Sequence, residues 1–253
     1  MNERVDLCVI GGGSGGLSVA AGAAQMGAKV ALVERDRMGG DCLNTGCVPS
    51  KALIAAAQRA QSMRDSDRFG ISSISPEVHF DRVHGHIHSV IAAIAPHDSV
   101  ERFTGLGVKV IRAEGRFVRP DMLTAGDVLI RARRFVIATG SRPAIPQIPG
   151  LDRSGYLTNE TIFELRERPD HLIIVGGGPI GVELAQAFRR LGSAVTLVER
   201  FEILPRDEPE AVAIVREAIR EEGAELFENA EVSSVARSAG NVVAAIRTDG
   251  GGV

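Results

Sequence analysis

Two stretches of the chain share one order of apolar run, glycine cluster and mixed run. VDLCVIGGGSGGLSVAAGAAQMGAKVALVER, from Val5 to Arg35, predicts a short apolar strand, a glycine turn and an alanine-rich helix. A glycine-bounded turn and a second strand ending at Glu34 follow. HLIIVGGGPIGVELAQAFRRLGSAVTLVER, from His171 to Arg200, repeats the plan and ends at Glu199. Gly11 and Gly176 are 165 positions apart, and so are Glu34 and Glu199.

Between the repeats, SKALIAAAQRAQSMRDSD predicts a helix. The stretch from Pro76 to Gly107 predicts a longer one that ends at glycines. VKVIRAEGRFV, MLTAG and DVLIRARRFVIATG then alternate as strands and glycine-containing turns, a small antiparallel meander. The proline-rich Ser141–Asp152 segment reads as an extended linker and places a domain boundary near residue 150. Beyond the second repeat come a helix, a strand and the start of a hairpin. The predicted fold is α/β, with two Rossmann-like three-layer dinucleotide-binding domains at residues 1–150 and 151–253. The first carries the meander; the second breaks off incomplete.

The glycines have a chemical purpose in this layout. Gly11 and Gly176 permit the tight turn, Gly13 and Gly178 let a pyrophosphate approach the backbone, and Gly16 and Gly181 let helix and strand pack closely. The helix N-terminus offers free N–H groups and a positive dipole end to the phosphates. A carboxylate about 20 residues further on, Glu34 or Glu199, can accept from both hydroxyls of an adenosine ribose. One such motif is weak evidence. Two in one register predict two bound dinucleotides.

Composition narrows the setting. The 253 residues are 44% hydrophobic with a net charge of −3, enough for a sizeable core and without the basic face of a nucleic-acid or anionic-membrane partner. No apolar run approaches the roughly 20 residues that span a bilayer. The first residues lead straight into a strand with no basic-then-apolar leader, so the expected location is cytoplasmic.

Two of the three cysteines lie in GGDCLNTGCVPSKAL, Gly39 to Leu53. Buried packing, a metal site, a structural disulfide and a redox pair are the readings to weigh. Zinc pairs are usually C-x-x-C with a second pair or histidines at set spacing, and neither is present. A scaffolding disulfide does not suit the cytosol, which favours catalysis or metal binding. Five residues of regular helix rise about 7.5 Å, so a bridge between Cys42 and Cys47 needs a distorted turn, which Asn44, Thr45 and Gly46 allow. Pro49 suits a first helical turn, so Cys47 falls near a helix N-terminus that favours its thiolate. Cys8, inside the first strand, reads as a buried apolar residue. His84 and His88, four apart, read as a solvated helix face with His86 pointing elsewhere, and no metal site is expected.

In its cysteine stretch, its two glycine motifs and FVIATGSRP, the chain resembles the flavoprotein disulfide reductases along essentially its whole length. The resemblance implies FAD at the first motif, with Gly11, Gly13, Ser14, Gly15, Gly16, Glu34, Arg35, Gly40, Asp41, Lys51, Gly115, Ala138, Thr139 and Gly140 around it. It implies a nicotinamide coenzyme at Gly176, Gly178, Pro179, Ile180, Gly181 and Glu199. Cys47 would face the flavin, Cys42 would attack the substrate, and Lys51 would pair with Glu183. The expected function is electron transfer from NADH through FAD to a Cys42–Cys47 disulfide, and on to a disulfide or metal-ion acceptor. Both the mercuric-reductase-like and the dihydrolipoamide-dehydrogenase-like branches fit.

Some residues depart from the pattern. Asp41 stands where many members have Thr or Ser, and a carboxylate there raises the thiol pKa. Pro179 replaces an aromatic residue that covers the nicotinamide pocket in some members. Glu199 favours NADH over NADPH, with Arg200 and Arg206 as the features on NADPH's side. Members also carry a further portion with a dimerisation domain and a His–Glu pair. Its absence leads to the expectation of a truncated chain that holds FAD weakly and turns over poorly. The alternative is a non-catalytic dinucleotide-binding fragment; whole members are expected to be homodimers.

Overall fold

The first apolar run forms β1 (Asn2–Ile10), buried on both faces at its C-terminal end, and the glycine turn leads into α1 (Ser14–Gln25). β2 (Val30–Glu34), α2 (Gly40–Asn44), α3 (Cys47–Arg64), α4 (Phe80–Ile94) and α5 (Val100–Gly105) follow. Then come β3 (Lys109–Arg112), β4 (Gly115–Arg119), β5 (Met122–Ala125) and β6 (Val128–Ile137). This computed structural model describes residues 2–238, 240–248 and 251–252. The chain divides into two units, residues 1–49 with 86–143 and residues 50–85 with 144–253, so α3 and α4 each cross from one to the other.

The first unit holds a six-stranded sheet in the order β3-β2-β1-β6-β5-β4. β3, β2, β1 and β6 run parallel, whereas β6, β5 and β4 are antiparallel. The meander is therefore grafted onto the parallel sheet, because the 10-residue β6 pairs with β1 along one edge and β5 along the other. VKVIRAEGRFV is two strands rather than one: β3 joins β2 and β4 joins β5. One face of the sheet buries Cys8, Ile10, Ala31, Val33, Leu123 and Ile130. The other buries Val9, Val30 and Leu32 against Leu17, Ala20 and Ala23 of α1, residues three apart and so on one helical face. The long helix expected up to Gly107 is broken. Pro96 sits in a 3-10 turn (Ala95–Asp98), and Ser99 then caps α5 by accepting from the Arg102 N–H at 3.1 Å.

The second unit builds a parallel sheet from β7 (His171–Val175), β8 (Ala194–Val198) and β9 (Glu225–Phe227). α6 (Pro179–Arg190) joins the first two strands and α7 (Pro209–Glu221) the next two. α6 buries Val182, Ala185 and Phe188, again three apart, and the Phe188 ring lies 5.8 Å from that of Phe80. Arg190 grips Glu222 through two hydrogen bonds, of 2.6 and 2.8 Å. The antiparallel pair β10 (Ala230–Ser238) and β11 (Asn241–Thr248) builds the expected hairpin start, while Ala239, Asp249, Gly250 and Val253 of that stretch lie outside the described residues. The linker is not free at its end: the Val235 N–H donates to the Pro149 carbonyl at 2.8 Å. No helix among the described residues is long and apolar enough to cross a membrane.

Candidate functional site

Both glycine turns form, and they match almost atom for atom. The Gly12 N–H donates to Glu34 Oε2 at 2.5 Å, and the Asp36 N–H to Glu34 Oε1 at 2.6 Å. At the same offsets, the Gly177 N–H donates to Glu199 Oε2 at 2.6 Å and the Phe201 N–H to Glu199 Oε1 at 3.0 Å. A side chain at Gly16 would overlap the Gly11 carbonyl, and one at Gly181 would overlap that of Gly176. The glycines therefore do the close-packing task the spacing predicts.

These turns fit the phosphate and ribose of a dinucleotide. Gly13 and Gly178 are the N-cap residues of α1 and α6 and offer no side-chain cap, and neither helix has an acidic residue in its first turn. The N–H groups at Ser14, Gly15 and Gly16 thus face no competing anion. Pro179 leaves the second turn one donor fewer. Each carboxylate oxygen of Glu34 and Glu199 holds one backbone donor and retains a lone pair for a hydroxyl. Glu34 is buried and Arg35 beside it is exposed.

Gly12, Gly177 and the N–H groups of Asp36 and Phe201 were not singled out from sequence. The available signal was the unbroken GGG in both repeats, whose middle glycine is buried under Glu34 or Glu199. Around the first turn, the Ala138 N–H extends the β1–β6 pairing by donating to the Ile10 carbonyl at 2.8 Å. Thr139 and Gly140 follow as exposed backbone. Gly115 opens β4 against Leu123 and Val33. Ile180 and Pro179 are exposed at the start of α6.

The cysteine stretch breaks its helix at the expected place. α2 ends at Asn44, whose side-chain amide donates to the carbonyls of Met38 (3.1 Å) and Gly40 (2.8 Å), and α3 starts at Cys47. Gly40 packs on Gly13, and the Gly39 N–H donates to the Gly12 carbonyl at 2.8 Å, so the cysteines are fastened to the first glycine turn. Cys42 is half-buried, Cys47 is exposed, and the two thiols are hydrogen-bonded to each other. Burial, then the Cys47 hydrogen bond and charge, push the Cys42 thiol up to about 11, and the Asp98 carboxylate adds to the rise. Asp98 was not anticipated; it is 56 residues from Cys42 in sequence. Asp41, on the first turn of α2, is exposed. Cys8 is fully buried and its thiol is pushed up to about 11 by burial alone, as an inert packing residue should be.

In the second unit Lys51 Nζ meets both carboxylate oxygens of Glu183, at 2.7 and 2.8 Å, across 132 residues of sequence. The pair is solvent-facing, with side chains 61% and 37% exposed, so its Coulomb energy is small and its value is positional. The solvated-face reading of the histidines needs correction. His84 is buried, and a Glu164 carboxylate oxygen lies within 4.8 Å of a ring nitrogen of His84, supplying the acid that sequence spacing did not offer.

Comparison with known proteins places this geometry. A family model described as "Pyridine nucleotide-disulphide oxidoreductase" matches residues 5–253. The chain is 36% identical over 247 residues to a mercuric reductase of Streptomyces lividans, covering 95% of this chain and 52% of that one. It is 32% identical over 250 residues to a dihydrolipoyl dehydrogenase of Bacillus subtilis, covering 92% and 52%. Among solved structures, the Cu(II) complex of the HOCl-induced flavoprotein disulfide reductase RclA from Escherichia coli superposes with a TM-score of 0.81 at 26% identity, over 98% of this chain and 54% of that one. The chain thus spans about half the length of these relatives.

Proposed function

The chain belongs to the pyridine nucleotide-disulphide oxidoreductase family, and from that premise we propose that it delivers electrons from NADH, in preference to NADPH, to a Cys42–Cys47 disulfide. Residues 1–150 hold FAD and residues 151–253 hold the coenzyme in this reading. FAD, when bound, supplies the two-electron relay between coenzyme and disulfide.

The observation that supports it best is the thiol pair, one half-buried and one exposed, hydrogen-bonded together where α2 gives way to α3, beside the first glycine turn. In the balance, NADH and one proton are consumed with the disulfide, giving NAD and two thiols. Cys42 is the interchange thiol. Because it is held protonated at neutral pH, a base must take its proton before its sulfur attacks an acceptor disulfide. Attack forms a mixed disulfide and releases one acceptor thiol. Cys47 then attacks the Cys42 sulfur, restoring the pair and releasing the second. A soft metal ion is the other acceptor class, held as substrate by the two thiolates. The mercuric reductases and the Cu(II)-bound RclA among the relatives favour it, whereas the dihydrolipoyl dehydrogenases favour a disulfide.

Lys51 lies one helical turn beyond Cys47 on α3, where Glu183 fixes the position of its charge. Glu199 sets the coenzyme preference, since an acceptor-only carboxylate suits ribose hydroxyls and repels a 2′-phosphate. A cytoplasmic location and a homodimeric whole protein go with this reading. Anaerobic titration with NADH should yield two new titratable thiols per NADH oxidised, and Cys47→Ser should yield none. Thiols appearing with NADPH alone would reverse the coenzyme assignment, and their absence with both would overturn the proposal.

A further inference from the structure

Among the described residues, only Leu204 (φ +49°) and Asn229 (φ +52°) are non-glycine residues with positive φ. Left-handed backbone costs an L-residue about 1–2 kcal/mol, so it persists where the surroundings impose it. Both residues act on one short strap. The Leu204 N–H donates to the Gly177 carbonyl at 2.9 Å, and the Asn229 N–H donates to the Phe201 carbonyl at 2.9 Å. Two more bonds hold the strap from below. The Phe201 N–H donates to Glu199 Oε1, and the Ile203 N–H donates to Glu228 Oε1 at 3.0 Å. Glu228 is itself gripped by Arg216 at 2.8 Å, and Ile203 is buried over Gly177.

The backbone of residues 199–204 is thus held by these bonds, while the side chains of Arg200, Phe201 and Glu202 stand exposed on it. The Phe201 ring is 63% exposed, two residues past Glu199, with the Arg200 guanidinium 5.7 Å from its centre. The first unit closes its turn through the equivalent Asp36 and Gly39 N–H bonds, so the fixed backbone is common to both repeats and the aromatic ring on it is particular to the second. The same offset in the first unit carries Asp36, so the repeat does not demand an aromatic there. What a flat apolar ring beside a ribose-accepting carboxylate can offer a nucleotide is a stacking face for its base.

We propose that Phe201 is the adenine platform of the coenzyme site, presented by the strained 199–204 strap, so that much of the coenzyme's affinity comes from its adenosine half. This rests on the assignment of the second glycine turn to a nicotinamide coenzyme. Phe201 is a binding residue, and Leu204, Asn229 and Glu228 are positioning residues.

The test compares NADH with reduced nicotinamide mononucleotide, which lacks the adenosine, as ligands of the purified protein in equilibrium titrations. Phe201→Ala should weaken NADH about tenfold, equivalent to about 1.4 kcal/mol, and leave the mononucleotide unchanged. Phe201→Tyr should restore NADH binding, and the thermal midpoints of both variants should match the parent because the ring is exposed. Unchanged NADH affinity in Phe201→Ala would overturn the proposal, as would equal weakening of both ligands, which marks a role in the scaffold. If the parent protein binds neither NADH nor NADPH, the coenzyme assignment itself falls and takes this inference with it.

Discussion

Gly11 and Gly176 have almost the same backbone angle, φ +108° and +110°, yet their surroundings differ. A methyl group added at Gly11 would overlap the carbonyl of Ala138, at the end of β6, whereas at Gly176 it would meet nothing within 4 Å. The first turn is also pressed by the cysteine loop. A Cβ on Gly40 would lie 2.6 Å from the Gly13 Cα, while one on Gly178 would find open space. One local plan has therefore been used twice, with its first glycine packed against the end of β6 in one copy and against nothing comparable in the other.

The largest effect that could break the comparison comes from Gly11→Ala against Gly176→Ala. Both substitutions impose a backbone strain of about 1–3 kcal/mol. Only the first adds overlap with a main-chain carbonyl, for a further cost of about 1–3 kcal/mol. Denaturant unfolding should show Gly11→Ala losing roughly 2–6 kcal/mol and Gly176→Ala about 1–3, with the first loss the larger. Equal losses would mean that the end of β6 yields to the added methyl group.

A second difference is chemical, because all three cysteines belong to the first unit. With Cys42 raised to about 11, its thiolate should grow about tenfold per pH unit from neutrality towards that value. Alkylation of Cys42 in the reduced protein, followed by peptide mapping, should rise in step. Asp98 is the last of the causes, after burial and Cys47, so Asp98→Asn should lower the pKa and speed alkylation at pH 8 only about twofold. A slower reaction in that variant would reverse the sign assigned to Asp98.

The repeat was legible because its rules are local. Apolar runs, glycine spacing and the terminal acid are set by strand, turn and helix geometry within about 30 residues, and the structure builds both copies. The break between Cys42 and Cys47 was legible for the same reason. What sequence could not supply were partners far along the chain. β6 extends the parallel sheet only because it lies beside β1, over 100 residues away. Asp98 reaches Cys42 because Pro96 ends α4 in a 3-10 turn, where helical periodicity alone predicted an unbroken run. Burial of His84 likewise depends on packing that no spacing rule encodes.

The smallest test sharpens how each turn is closed. Gly39 (φ +85°) and Leu204 (φ +49°) occupy the same offset, and each sends its N–H to the middle glycine's carbonyl. Gly39→Ala should cost about 2 kcal/mol or more, since the left-handed backbone is strained and the new Cβ would lie 2.6 Å from the Leu43 Cβ. Leu204→Gly runs the other way. It relieves about 1–2 kcal/mol of left-handed strain but gives back about 0.4–1 kcal/mol in unfolded-chain entropy, along with the packing of a half-buried side chain. The net change should stay within about 0.5 kcal/mol of zero by denaturant unfolding. If so, the leucine is retained for something other than stability. Weaker NADH binding in the same variant, at unchanged stability, would tie that to the strap beneath Phe201.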